Sequence, residues 1–302
     1  MTFMRQRPQK PPLAMEFGAS SLQMRRPRPF LKWAGGKSRL APEIRNLVPT
    51  TFRRYIEPFL GGGAIFFKIQ PASALLSDSN YELINCYEVV REHPEELLRM
   101  LETLPISKRR FCAIRKMDPA KLTPIERAAR LIYLNKICYN GLYRVNKKGE
   151  FNTPYGHYHN VKLADKDRIL AASEALRGVE LVSADFEEVL LKSAQPEDFL
   201  YLDPPYPPVS RYSDFKRYTK EFFNREDHIR LARVVHELDR RGCNFVLSNA
   251  KHPLIAKLYS KFKIRKVEAP RYVNCRGDKR GHVPELLVTN VQTTKGAAFS
   301  VN

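Results

Sequence analysis

Two patterns of apolar and polar positions alternate along this chain. Over residues 28–93 and again over 177–291, short apolar runs bounded by turn residues are followed by segments of helical period. That is the signature of an α/β chain with a parallel sheet. Residues 55–59 form one such run and lead into Gly61, Gly62 and Gly63. Residues 64–69 read as a helix stopped by Pro71, residues 74–76 as a strand ending at Asp78, and residues 81–91 as a second helix. Strand, glycine turn, helix and strand make a βαβ unit. The pattern resumes with strands predicted at 179–182 and 199–202. A long helix capped by Asn224 and ending at 240 follows, then a strand at 244–247 reaching Ser248 and Asn249, and two closing strands at 263–267 and 285–289.

Residues 94–176 differ, with helical periodicity and almost no strand pattern. Thr123, Pro124 and Glu126 spell a capping box with proline at the first helical position, opening an apolar-periodic helix through Ile137. A polar, aromatic loop covers 139–160. We read 94–176 as a helical insertion carrying a surface loop. Residues 1–27 place Pro8, Pro11, Pro12 and Pro27 among five arginines and lysines, and read as a flexible basic arm able to touch phosphates or as a leader without a role. Residues 292–302 read as a tail.

Composition then narrows the class. The chain has 302 residues, 43% hydrophobic and 11% aromatic, which excludes a mainly disordered protein. It has no run of about 18 apolar residues, so no membrane-spanning helix is expected. The first 30 residues lack an apolar signal region, so secretion is not expected. Five scattered cysteines, none at metal spacing, fit reduced thiols in the cytosol. Lys and Arg number 52 against 32 Asp and Glu, a net charge of +20. Such an excess favours a polyanionic partner, usually nucleic acid, over a merely basic surface.

The candidate chemistry gathers where strands end. Glu57 with the glycine turn, Asp78, Asp185 and Asp203 all fall at such ends, where doubly wound sheets bind ligands. Asp78 lies about 20 residues beyond Glu57, the spacing at which a carboxylate grips a ribose hydroxyl. A nucleoside-bearing cofactor is one reading; packing of the turn is the other. The run Ala34, Gly35, Gly36, Lys37, Ser38 is not a phosphate-binding loop, since the first glycine of that motif is replaced by Leu31 and no strand precedes it.

The sharpest feature is Asp203, Pro204, Pro205 and Tyr206 in succession, directly after the strand 199–202. A proline turn could account for it. An exocyclic amino group on a base explains it better. Its nitrogen lone pair is delocalised into the ring, and a carboxylate at Asp203 with the Pro204 carbonyl can accept both amino hydrogens. The prolines fix the carbonyl direction, and Tyr206 offers a face for an extruded base.

Three segments together resemble the Dam family of DNA adenine-N6 methyltransferases: Phe30 to Lys37 (FLKWAGGK), Glu57 to Gly63 (EPFLGGG), and Asp203 to Tyr206 (DPPY). The order of motifs matches, and the resemblance spans about residues 28–291. It implies a Rossmann-like, seven-stranded sheet and S-adenosylmethionine as donor. By motif, Trp33 and Lys37 hold the donor's methionine end, and Glu57, Phe59, Gly61 and Gly63 lie beneath it. Asp78 binds the ribose, Asp185 and Phe186 flank the adenine, and Asp203 stands between donor and target base. Ser248 and Asn249 resemble a segment that shapes the base pocket. Residues 139–156 resemble the target-recognition hairpin of members that modify GATC in double-stranded DNA. There Arg144 pairs with a guanine, Leu142 and Pro154 meet the thymine step, Tyr139 and Asn140 wedge into the stack, and Lys32 contacts the first guanine; Asn146 and Tyr158 complete the DNA-facing set. The basic stretch 271–280 suits phosphate contacts or a solvated face. A monomer without metal is expected. An RNA or protein-amide methyltransferase and a non-catalytic DNA binder are the rival readings.

Overall fold

The computed structural model describes residues 26–146, 148–158, 160–207, 223–270 and 282–292. Most of the basic arm, Lys147, His159, the stretch 271–280 and all but the first residue of the tail lie outside the described residues.

Seven strands form one sheet: β1 (Tyr55–Glu57), β2 (Ala74–Asp78), β3 (Glu180–Ser183), β4 (Phe199–Leu202), β5 (Asn244–Ala250), β6 (Lys263–Pro270) and β7 (His282–Thr289). Their order is β3-β2-β1-β4-β5-β7-β6, with β7 antiparallel to both neighbours and the other pairings parallel. The fold is α/β and Rossmann-like. The chain moves outward from β1 through β2 to β3, then returns to lay β4 on the other side of β1. The crevice between β1 and β4 is therefore the switch point where a doubly wound sheet binds its ligand.

Alternate residues of each central strand enter two separate cores. Tyr55, Leu76, Phe199, Tyr201 and Val246 face one; Ile56, Leu75, Leu200, Leu202 and Leu247 face the other. Burial on both faces is why these strands read as continuous apolar runs. The second core is closed by α8 (Phe186–Ser193), α9 (Arg225–Arg240) and α10 (Pro253–Leu258). On the first lie α1 (Ala41–Arg45), α2 (Phe66–Ile69), α3 (Tyr81–Glu92), α4 (Pro94–Glu102), α5 (Lys108–Lys116), α6 (Pro124–Ile137) and α7 (Lys166–Ala175). The helices of 94–176 thus share one continuous core with the sheet: α6 packs along α3, and α4 and α5 pack on α6.

The expected capping box at Thr123 forms, and the Asn224 cap is a second one. Thr123 accepts from the Glu126 amide and Glu126 accepts from the Thr123 amide; Asn224 and Asp227 do the same for α9. β5 runs three residues further than its sequence predicts, so Ser248 and Asn249 lie within the strand. Both are fully buried there, and the polar side chains broke the apolar run without ending the strand. β1 is shorter than its apolar run, because Pro58 and the glycine turn end it at Glu57. Among the described residues, no helix is long and apolar enough to cross a membrane, and no cluster of three or more His, Cys, Asp or Glu could hold a metal.

Candidate active site

Glu57 and Asp78 are the last residues of β1 and β2, and Asp203 follows β4 directly, so three carboxylates stand at adjacent strand ends. The turn after β1 is held by its backbone. Gly63 N–H donates to the Leu60 carbonyl at 2.8 Å, and Leu60 N–H to that of Ser77 at 3.0 Å. Gly61 adopts φ +49, and a Cβ there would stand 2.7 Å from Cδ1 of Trp33. Glycine is required by both the left-handed backbone and the indole over it. Asp78 accepts from the Gly61 amide at 3.1 Å and the Asn80 amide at 3.0 Å. Burial nevertheless pushes its carboxyl up to about 6. Glu57 accepts the Tyr55 hydroxyl at 2.8 Å and is pushed up to about 8, chiefly by burial.

Asp203 is the centre of a second network. The Lys37 ammonium, 6% exposed, sits 2.9 Å from each carboxylate oxygen, donating to Oδ2, and also donates to the Gly35 carbonyl at 2.7 Å. Ser248 Oγ donates to Asp203 Oδ1 at 2.8 Å. With that hydroxyl hydrogen committed, the Tyr201 hydroxyl, 3.0 Å away, donates to Ser248 Oγ. Each carboxylate oxygen thus accepts one hydrogen bond, of the about four a carboxylate can accept. The ring of Tyr206 lies under the Lys37 ammonium, 4.7 Å from its centroid, and its hydroxyl donates to Glu285 on β7 at 2.6 Å. Burial and the nearby Asp203 and Glu285 carboxylates hold the Tyr206 phenol well above its ordinary value. Pro204 is buried and Pro205 half-buried.

An aromatic wall stands on the other side of the turn. Phe59, Phe186 and Phe223 meet pairwise at centroid distances of 5.3–5.9 Å. Asp185 caps α8 by accepting from the Glu187 amide, and Arg230 of α9 grips its two oxygens at 3.0 and 2.9 Å while lying over the Phe186 ring.

The loop after α6 supplies the remaining expected residues. Its arms pair through Val145 with Phe151 and Cys138 with Tyr155. Tyr139 is 49% exposed, and Asn140, Pro154 and Lys32 are exposed beside it. Asn140 takes φ 55 and donates its amide to the Tyr158 hydroxyl at 3.0 Å. Arg144 donates Nε to the Asn152 side chain at 2.8 Å and Nη2 to its carbonyl at 3.4 Å. Leu142 is half-buried. The Asn146 side chain organises the hairpin turn, accepting the Lys148 and Glu150 amides and donating to the Glu150 carboxylate.

The structure thus brings Lys37, Asp203, Tyr206 and Ser248 together, and gathers Trp33, Gly61 and Asp78 around the turn. Phe59 and Phe186 stand in the aromatic wall. Three residues of this network had no signal strong enough to read from sequence alone: Arg230, Glu285 and Asn152. Glu285 left a trace, as a single polar residue inside an apolar segment.

The sequence profile described as "D12 class N6 adenine-specific DNA methyltransferase" matches residues 33–273. Over 271 residues the chain is 43% identical to the type II methyltransferase M1.LlaDCHI of Lactococcus lactis, covering 87% of this chain and 95% of that one. It is 41% identical to the type II methyltransferase M.MjaIII of Methanocaldococcus jannaschii, covering 87% and 99%. It is 30% identical to the DNA adenine methylase of Escherichia coli K12, covering 87% and 95%. With the fold, the strand-end carboxylates and the tetrapeptide at Asp203, these matches identify the chain as a member of the D12 class of N6 adenine-specific DNA methyltransferases.

Proposed function

We propose that this protein methylates adenine N6 within 5′-GATC-3′ in double-stranded DNA, with S-adenosylmethionine as donor and the target adenine flipped out of the helix. The observation that carries the reading is the Asp203 carboxylate at the β1–β4 crevice, fixed by Lys37 and Ser248 with acceptor capacity left over. A remaining Asp203 lone pair and the Pro204 carbonyl accept the two amino hydrogens of the base. Held this way, the nitrogen gains tetrahedral character and its lone pair is freed from the ring. The Tyr206 ring, tethered by Glu285, stacks on the extruded base. The surplus proton leaves to water once the N–C bond has formed, since the tetrapeptide contains no further base. Orientation and proximity supply much of the rate.

The donor site fits the residues present. Asp78 offers a carboxylate with lone pairs to spare for ribose hydroxyls. The wall of Phe59 and Phe186 suits a flat adenine, beside the anchored Asp185. Trp33, Glu57, Gly61 and Gly63 border the methionine end. Lys37 borders it too, but it is already bonded to Asp203 and to the Gly35 carbonyl, so in this reading it acts chiefly on Asp203. S-adenosylmethionine, when bound, supplies an electrophilic methyl group on its sulfonium.

On the DNA side, two of the five Arg144 donors rest on Asn152, which aims the remainder of the fork at a guanine edge. Leu142 and Pro154 present apolar surface to a thymine methyl, Lys32 reaches the first guanine, and exposed Tyr139 with Asn140 fills the gap left by the flipped base. Asn146 shapes the turn, and Tyr158 supports Asn140.

Transfer of labelled methyl from S-adenosylmethionine to duplexes carrying GATC or GATG, to RNA and to protein tests this. Label confined to the GATC duplex and recovered as N6-methyladenine is expected. Label in RNA or protein, or equal labelling of both duplexes, would overturn it.

A further inference from the structure

Asn135 lies on α6, outside every motif discussed so far, and is fully buried. Its side chain makes three hydrogen bonds, all to backbone. Oδ1 accepts from the Lys32 amide at 2.9 Å; Nδ2 donates to the Lys32 carbonyl at 2.7 Å and to the Gly141 carbonyl at 3.2 Å. One amide therefore joins the segment beside Trp33 and Lys37 to the loop that carries Asn140 and Arg144. Contact there is close: Gly141 takes φ +64, and a Cβ on it would stand 2.6 Å from Cδ of Lys32. A second strut runs alongside. Trp33, which covers the Gly61 turn, stacks on Tyr143 of the loop with centroids 5.1 Å apart and planes 19° from parallel. The Lys32 ammonium lies 5.1 Å from the Tyr158 ring, whose hydroxyl receives the Asn140 amide.

We propose that Asn135 is a positioning residue that locks the base-reading loop to the donor-binding segment, so that filling the donor site orders the loop before DNA arrives. The inference rests on the donor assignment made above. A donor that steadies residues 32–37 steadies Gly141 through one shared side chain, and linkage makes the effect reciprocal: DNA on the loop tightens donor binding by the same factor.

The test is amide hydrogen exchange of the full chain with and without S-adenosylhomocysteine, the demethylated donor, without DNA. Slower exchange over 139–146 on adding the ligand is expected, and in Asn135→Ser that protection disappears. Calorimetry of S-adenosylhomocysteine with and without a GATC duplex should show about fivefold or greater tightening in wild type, and a ratio near 1 in Asn135→Ser. Ligand binding that leaves wild-type exchange over 139–146 unchanged overturns the proposal, whether or not the variant folds. An unchanged calorimetric ratio in a folded Asn135→Ser also overturns it. If S-adenosylhomocysteine does not bind wild type at all, the donor assignment itself fails, and the isotherm shows this separately.

Discussion

The ammonium of Lys37 and the carboxylate of Asp203 illustrate how a residue proposed to hold the target base can also be structural. Read from sequence, Asp203 is an exposed strand-end carboxylate whose removal should leave the fold intact. It is instead 19% exposed and is the counter-charge of a buried lysine. Asp203→Ala should therefore abolish methylation and also destabilise the protein by about 2–4 kcal/mol, as expected when a buried charge loses its partner but some solvent remains. Asp203→Asn keeps an acceptor, and should melt closer to wild type while losing about a hundredfold or more in turnover. Thermal melts beside methylation rates check both; equal melting of Asp203→Ala and wild type would contradict the buried pair. Glu57 makes a prediction about pH. Its folded carboxyl is raised to about 8 from an ordinary value of 4.5. The folded state therefore holds a proton that the unfolded chain gives up, and this stabilisation is complete below about pH 4.5 and lost as pH rises through about 8. Glu57→Gln keeps an acceptor for the Tyr55 hydroxyl and carries no proton to lose. The melting temperature of the free protein should fall more steeply from pH 5 to 9 in wild type than in Glu57→Gln; parallel profiles would contradict a buried, protonated Glu57.

At the scale of elements, the loop after α6 is a short arm whose tip is tied by Asn146 and whose Arg144 is held by Asn152. Arg144→Ala should cost about 1–3 kcal/mol at a single base pair and relax discrimination there, with little change on duplexes already altered at that pair. Asn152→Ala should weaken the same discrimination partially, because the guanidinium remains but loses its anchor. Competition among duplexes differing at one position of GATC measures both, and uniform weakening at every position would contradict base reading by Arg144. Elements differed in how legible they were. β1, β2, β4 and β5 stood out because a sheet buried on both faces leaves apolar runs, α6 because its capping box marks the start, and α9 because Asn224 caps it. The end of β5 was hidden because Ser248 and Asn249 look like a turn, yet Ser248 is spent on Asp203 and Tyr201 inside the strand. The tetrapeptide and the glycine turn were legible as local strings. Their partners were not: Lys37 lies 166 residues from Asp203, and Asn135 lies 103 from Lys32. No local pattern announces a contact of that separation; only the topology of the sheet and the packing of α6 produce it.

For the whole molecule, a net charge of +20 makes the DNA complex an electrostatic one. Each phosphate neutralised releases counterions, so the logarithm of affinity should fall linearly with the logarithm of salt concentration, by about 0.9 per phosphate contact. Fluorescence anisotropy with a labelled duplex, across a salt series, measures the slope; affinity independent of salt would contradict phosphate contacts. The sheet, the insertion packed into its core and the crevice at Asp203 converge on a single activity, and sequencing that detects modified bases measures it directly. A plasmid without adenine methylation is incubated with the protein and S-adenosylmethionine, and every base is read. N6-methyladenine at the adenine of each GATC, on both strands, and absent from other sites, is the predicted result. Methylation spread over other sequences, on another base, or missing from GATC after complete reaction would contradict it.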